Sequence, residues 1–119
     1  MSRERRRHNR VDTDWRVRVG RRGLGVVDGK ISNASLGGVF IETSLNVNKG
    51  DQVLMEIDAK AGGEANRFLS EGQIVRKKIL GDSGQFGYGV QFVKVSDAAI
   101  QHLLNLIVPL WKAQKDRSE

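Results

Sequence analysis

The hydrophobic pattern of this chain changes period once, and that change divides it into a long strand-like part and a short helical one. Up to about residue 95, apolar side chains recur at alternate positions in short runs punctuated by glycine, and beyond Ser96 they recur every third or fourth position. Alternate residues of a strand face opposite sides of a sheet, whereas residues three and four apart share one face of a helix. Trp15, Val17 and Val19 alternate with Arg16 and Arg18, and Gly20 begins a polar turn. A second run extends from Gly25 to about Asn33 with Val26, Val27 and Ile31, and a third, Gly38 to Glu42, holds Val39, Phe40 and Ile41. Gln52 to Asp58 sets Val53, Met55 and Ile57 on one face and Glu56 and Asp58 on the other. After a loop at residues 61–66, Phe68 to about Ile79 forms a fifth run. Beyond the turn Gly81-Asp82-Ser83-Gly84, the sixth reads Tyr88 to Val95. Six short strands in a chain with 14 glycines and one proline predict antiparallel hairpins closed into a barrel or stacked as a sandwich.

The helical part opens on Ser96, a good N-cap, followed by Asp97 where the helix dipole favours an anion. Ile100, Leu103, Leu104, Ile107 and Trp111 then make an apolar face suited to an open end or side of the barrel. Pro109 lacks the amide proton that a helix interior needs, so a kink or an end is expected near Val108. At 119 residues the chain holds one domain. Trp15 and Trp111 both fall on apolar faces and are assigned to the core.

Charge is distributed very unevenly. Residues 1–22 hold nine arginines against Glu4, Asp12 and Asp14, a net +6, which is the whole formal charge of the chain; the remainder balances 11 basic against 11 acidic groups. A neutral body with one cationic arm points to an anionic partner met at that arm. The arm, residues 1–12, has too little apolar content to fold alone and is expected to be flexible, with residues 13–119 forming the barrel and helix. No apolar run approaches the roughly 20 residues of a membrane helix, and no apolar stretch follows the basic residues as a secretory signal requires. A cytoplasmic setting is expected. With no cysteine and with His8 and His102 far apart, neither a disulfide nor a metal centre is anticipated, and no cofactor is called for. No carboxylate pair, and no serine with a nearby histidine base, argues for an enzyme.

Two strings carry chemistry. The first is Arg5-Arg6-Arg7-His8-Asn9-Arg10. A guanidinium presents a planar fork of donors that matches a pair of phosphate oxygens or the O6 and N7 edge of guanine, and lysine cannot reproduce that geometry. Alone, the string reads first as a solvated basic tail and second as a non-specific contact for RNA or DNA. The second string, Asn33-Ala34-Ser35-Leu36-Gly37-Gly38, lies between two strand patterns. Its short polar groups and paired glycines suit a hairpin turn that satisfies its own backbone.

Taken together, the strings are far more specific. Arg6 and Arg10 in an Arg-x-x-x-Arg spacing, preceded by Arg5, and Asn33, Ser35 and Gly38 in an Asn-x-Ser-x-x-Gly spacing resemble the PilZ family. Gly87-Tyr88-Gly89-Val90-Gln91-Phe92 is similar to the glycine-flanked final strand of those domains. The resemblance runs from Arg5 to the terminal helix. It implies a six-stranded antiparallel β-barrel with a C-terminal helix that binds the bacterial second messenger cyclic di-GMP. It further implies that Arg6 and Arg10 grip guanine edges and phosphates with help from Arg5, while Asn33, Ser35 and Gly38 form the opposing wall. Asn33 stands where aspartate is commoner, and an amide cannot accept two guanine donors as a carboxylate can. In some relatives an aromatic residue on the fifth strand stacks on a guanine; here Arg76 occupies about that place and is assigned the stacking plane.

These residues suit that ligand on chemical grounds as well, because two phosphodiesters and two guanines call for cations that also read purine edges. The expected mechanism is an adaptor: ligand folds the arm across the barrel and alters a surface read by an unidentified effector protein. Relatives act in motility, polysaccharide synthesis, biofilm formation and virulence, and nothing here chooses among them. The alternatives are a small basic barrel that binds nucleic acid, against which stands an aromatic content of only 6%, and a PilZ-like module that contacts proteins without a ligand.

Overall fold

The computed structural model describes residues 10–61, 64–94 and 96–117. Six strands, β1 (Val11–Arg21), β2 (Gly25–Ala34), β3 (Gly38–Thr43), β4 (Gln52–Ala61), β5 (Glu64–Leu80) and β6 (Gln85–Val93), precede one helix, α1 (Asp97–Arg117). The strands close into a barrel in the order β1-β2-β3-β6-β5-β4, with β4 returning to pair with β1, and every neighbouring pair is antiparallel. Closure leaves no open sheet edge. The inward positions of the alternating runs fill the interior: Val17, Val19, Ile31, Ile41, Met55, Ile57, Ile74, Tyr88 and Val90 are all buried, and Trp15 joins them as expected. Tyr88 brings a polar group into this interior, and its hydroxyl donates to Leu45 O at 2.6 Å and accepts from the Val47 amide at 3.0 Å. Burial disfavours the phenolate and raises the Tyr88 pKa above its ordinary value of 10.0, with the nearby Asp51 charge acting in the same direction.

Several boundaries differ from those the alternation predicts: β1 runs on through Gly20 to Arg21, β6 spans Gln85–Val93 rather than starting at Tyr88, and three further differences have a local reason. β1 begins at Val11 rather than Trp15, because a bulge between Asp12 and Trp15 interrupts the apolar alternation there. Thr13 sits in that bulge and donates its hydroxyl to Ile31 O at 2.6 Å, so a polar residue takes an inward place with its hydrogen bond satisfied. The loop expected at residues 61–66 is mostly strand, since β4 and β5 stay paired to Ala61 and Glu64. The helix also runs through Pro109 to Arg117 instead of ending near Val108.

The last of these follows from what surrounds the proline. Pro109 lies on the exposed side of α1, and Leu110 and Trp111 just beyond it pack on the core. One turn later the Gln114 carboxamide grips the backbone of Asp12 twice: Oε1 accepts from the Asp12 amide at 2.9 Å and Nε2 donates to its carbonyl at 2.9 Å. Tertiary contacts on both sides of the proline outweigh the single missing helix bond. At the other end Ser96 caps the helix as predicted, its Oγ accepting from the Ala99 amide at 3.1 Å. Leu103, Leu106 and Ile107 bury the apolar face, and the ring of His102 meets Phe68 edge-on at 5.1 Å, placing it half-buried under the helix.

Candidate functional site

The link from β2 to β3 is built by the string Asn33-Ala34-Ser35-Leu36-Gly37-Gly38. Ser35 is buried, and its amide donates to Gly38 O at 2.9 Å while its Oγ accepts from the Gly37 amide at 3.1 Å. Gly37 O in turn accepts from the Phe92 amide at 2.9 Å, tying the turn to β6. Gly38 lies so close to β6 that a Cβ there would fall 2.1 Å from Val90 O, a backbone atom that no rotamer change can move. The serine and the last glycine therefore set the shape of the turn, and the spacing between them is fixed by one hydrogen-bonded loop.

Asn33 is presented differently. It pairs with Asp12 of β1 on one side and Phe40 of β3 on the other, beside a bulge between Ile31 and Asn33. Its half-buried side chain accepts a hydrogen bond from Arg10 Nη1 at 2.7 Å. Thus the structure brings together one residue from each of the two sequence strings. Arg5 and Arg6 lie outside the described residues. Arg10, exposed at the start of β1, lies two residues from the Asp12 backbone that Gln114 holds.

The register extends this site around the barrel. Asn33 pairs with Phe40, Phe40 with Gly89, and Gly89 with Arg76, a single row across β2, β3, β6 and β5. Cross-strand partners share a face, and the flanking Val39 and Ile41 point inward, so this row faces outward. Three strand spacings put the ends of the row about 14 Å apart. Arg76 is exposed, with its Cβ 3.2 Å from where a Gly89 Cβ would stand, so it sits beside a position that carries no side chain. A bulge between Ile74 and Arg76 gives it this outward direction. The neighbouring Lys77 is committed elsewhere: Nζ donates to Asn46 Oδ1 at 2.8 Å and stands 4.8 Å above the Phe86 ring.

Phe40 is the site residue that sequence reasoning passed over. Val39-Phe40-Ile41 reads as one apolar run, yet strand period alone puts its middle member on the opposite face from its neighbours. Its ring covers Gly87, where a Cβ would lie 2.6 Å from Cζ. The outer face therefore offers, in order, a guanidinium clasped to an amide, an aromatic ring and a second guanidinium, with Asp12 the next member of the row beyond Asn33. Such an array suits a planar, anionic, hydrogen-bonding ligand. Among the described residues no group of histidine, cysteine and carboxylate side chains is placed to hold a metal ion, and no helix is long and apolar enough to cross a membrane.

Comparison with known proteins agrees with this architecture. The chain is similar in fold to MotI/DgrA, the inhibitor of motility of Bacillus subtilis, with a TM-score of 0.77 at 16% identity over 95% of this chain and 52% of that one. It is similar to the PilZ domain of Escherichia coli YcgR, solved with c-di-GMP, with a TM-score of 0.71 at 18% identity, covering 97% of this chain and 98% of that domain. Klebsiella pneumoniae MrkH in its apo state gives a TM-score of 0.71 at 14% identity over 98% of this chain and 55% of that one. The chain thus spans about half the length of MotI and MrkH and the whole of the isolated YcgR domain. No curated protein sequence matches it significantly. The model of the PilZ domain matches residues 4–108, from the arginine string into the helix. With that match over most of its length, the chain belongs to the PilZ domain family.

Proposed function

We propose that this protein is a cyclic di-GMP receptor that works as an adaptor. The observation that carries the reading is the Arg10–Asn33 hydrogen bond, which joins the arginine string to the turn string on the outer face of a PilZ barrel. Cyclic di-GMP presents two phosphodiesters and two guanines. Arg6 and Arg10, assisted by Arg5, are assigned to guanine edges and phosphates, where a guanidinium fork matches both. Asn33 supplies the polar wall, Ser35 and Gly38 hold the turn that positions it, and Arg76 offers a flat cation for stacking at the far end of the row. The PilZ domain of YcgR, similar in fold, was solved with the same ligand, which supports the assignment.

In this reading the free arm repels itself, and two phosphates neutralise enough charge for it to fold across the barrel. The reshaped surface is then read by an effector protein in the cytoplasm. Motility is one candidate output, in keeping with the inhibitor of motility among the structural neighbours. Isothermal titration with cyclic di-GMP tests the reading directly: a saturable signal is expected, strongly weakened by Arg6→Ala or Arg10→Ala, and its stoichiometry reports whether one molecule or a stacked pair binds. No heat up to about a millimolar ligand, a concentration that reveals even binding near −4 kcal/mol, overturns it. Oligonucleotide binding with a steep salt dependence would point instead to a nucleic-acid module.

A further inference from the structure

The outer surface of β1 and β4 carries a pattern that the ligand site does not use. Arg16 and Arg18 point outward from β1 and pair in register with Asp58 and Glu56 of β4, while Gly20 pairs with Leu54. Apolar side chains stand on this solvent face: Leu54 is 52% exposed and Val26, beside Gly20 on β2, is 60% exposed, and both line a groove of about 870 Å³. A closed barrel places polar residues outward, so adjoining exposed valine and leucine on central strands mark a contact surface. Of the charges beside them, Asp58 is held by Arg67 at 3.7 Å and its side chain is only 25% exposed, whereas Arg18 is loosely held. Arg18 lies 3.6 Å from Glu56 and 3.8 Å from Asp28, all three side chains at least 40% exposed, and among the described residues Arg16 has no carboxylate partner. Exposed pairs of this kind exchange partners with little loss.

We propose that this face binds a second copy of the chain, through a two-fold axis running parallel to the strands between β1 and β4. The rotation lays each basic strand over the other copy's acidic strand. Arg18 meets the second copy's Glu56, Arg16 meets its Asp58, and Leu54 packs on its Gly20 and Val26, with every contact made twice. An axis across the strands would set arginine on arginine. A partner of one charge sign would also fit poorly, because across β2, β1, β4 and β5 this face sets Arg16, Arg18, Lys30 and Arg67 against Asp28, Glu56, Asp58 and Glu71. Four strands at about 4.8 Å spacing and a similar span along them give roughly 400 Å² per copy, half of the ~800 Å² of a standard interface, so the dimer is a weak one.

Sedimentation velocity from about 10 µM to about 1 mM tests this, with concentrations chosen from the weak affinity that so small an interface implies. Wild type is expected to move toward the dimer as concentration rises, and Leu54→Asp to stay monomeric with an unchanged circular dichroism spectrum. Arg18→Glu and Glu56→Arg should each fail to self-associate, whereas an equimolar mixture of the two should form a mixed dimer, because the exchanged charges then face each other across the axis. A wild-type chain that is monomeric throughout, dimerisation untouched by Leu54→Asp, or a mixture no more associated than its components would each overturn the proposal.

Discussion

Arg10 and Asn33, 23 residues apart, are joined side chain to side chain, Nη1 donating to Oδ1 at 2.7 Å. The contact engages Nη1 of a group with five donors, on a residue that is exposed as a whole. Replacing Arg10 by alanine removes a charged hydrogen-bonding group of the kind worth about 1.5–3 kcal/mol, so the affinity for cyclic di-GMP should fall by about 10- to 150-fold in titration calorimetry. Arg10→Lys should recover little, since an ammonium keeps the charge and loses the fork. Equal affinity for the lysine variant and wild type would show that charge alone matters there.

Gly38 has no room for a side chain. A methyl group 2.1 Å from Val90 O forces β3 and β6 apart at the point where the turn is bonded to both, and no flexible group is present to yield. Gly38→Ala should lower the unfolding free energy by about 3 kcal/mol or more in urea titration, and ligand binding should weaken with it because the turn carries Asn33. An alanine variant of near-native stability would contradict the backbone contact.

Tyr88 links stability to alkaline pH. Its folded-state pKa is raised above 10.0, so between that value and the higher folded one the unfolded chain releases a proton that the folded chain keeps. The contribution is complete below about pH 10 and is lost as pH rises above it. Tyr88→Phe also strips the Leu45 carbonyl and Val47 amide of their partner, at a cost of about 1–3 kcal/mol at neutral pH. Its stability should then decline less steeply above pH 10 than that of wild type, which chemical denaturation across the pH series will show.

The barrel was legible in the chain because each strand core alternates cleanly, as in Trp15 to Val19 and Val53 to Ile57, and because glycine marks nearly every turn. What escaped was set by contacts distant in sequence. Thr13 hides the start of β1 because its hydroxyl finds Ile31 O only after the barrel closes. Pro109 remains inside the helix because Trp111 and Gln114 find partners across the fold. Of the site, Asn33 and Arg10 could be named from their motifs, and the pairing that joins them depends on register. Phe40 was missed because a short apolar run conceals which member faces out, and Arg76 shares a row with Asn33 only through the order β2-β3-β6-β5.

Gln114 fastens the last turns of α1 to the first residues of β1, next to Arg10. Both hydrogen bonds are exposed, so water replaces them partly when the side chain is lost, and Gln114→Ala should cost about 1 kcal/mol. That corresponds to a Tm lower by about 4–8 °C for a domain near this size. The Asp12 amide should exchange with deuterium faster in the variant, while the Ile31 amide at the barrel centre should be unchanged. Loss of protection at both positions would mean that the helix supports the whole barrel rather than one strand end.

Arg76 can serve the site in two ways, and its substitutions separate them. If it acts only as a mobile charge, any cation there should suffice: Arg76→Lys would bind cyclic di-GMP like wild type, and the difference between wild type and Arg76→Ala would shrink as salt screens it. If the guanidinium lies flat against a guanine, the plane matters as well as the charge. Exposed contacts of this type are worth about 0.5–1 kcal/mol, so Arg76→Ala should weaken binding by about two- to fivefold. Arg76→Lys should then resemble alanine, and Arg76→Trp should match or exceed wild type, since an indole offers a larger stacking surface without charge. The outward position of Arg76, beside a glycine at position 89, leaves space for either head group. Titrations of the three variants at low and high salt decide the question, and stacking predicts that the tryptophan variant loses no more affinity than wild type at the higher salt.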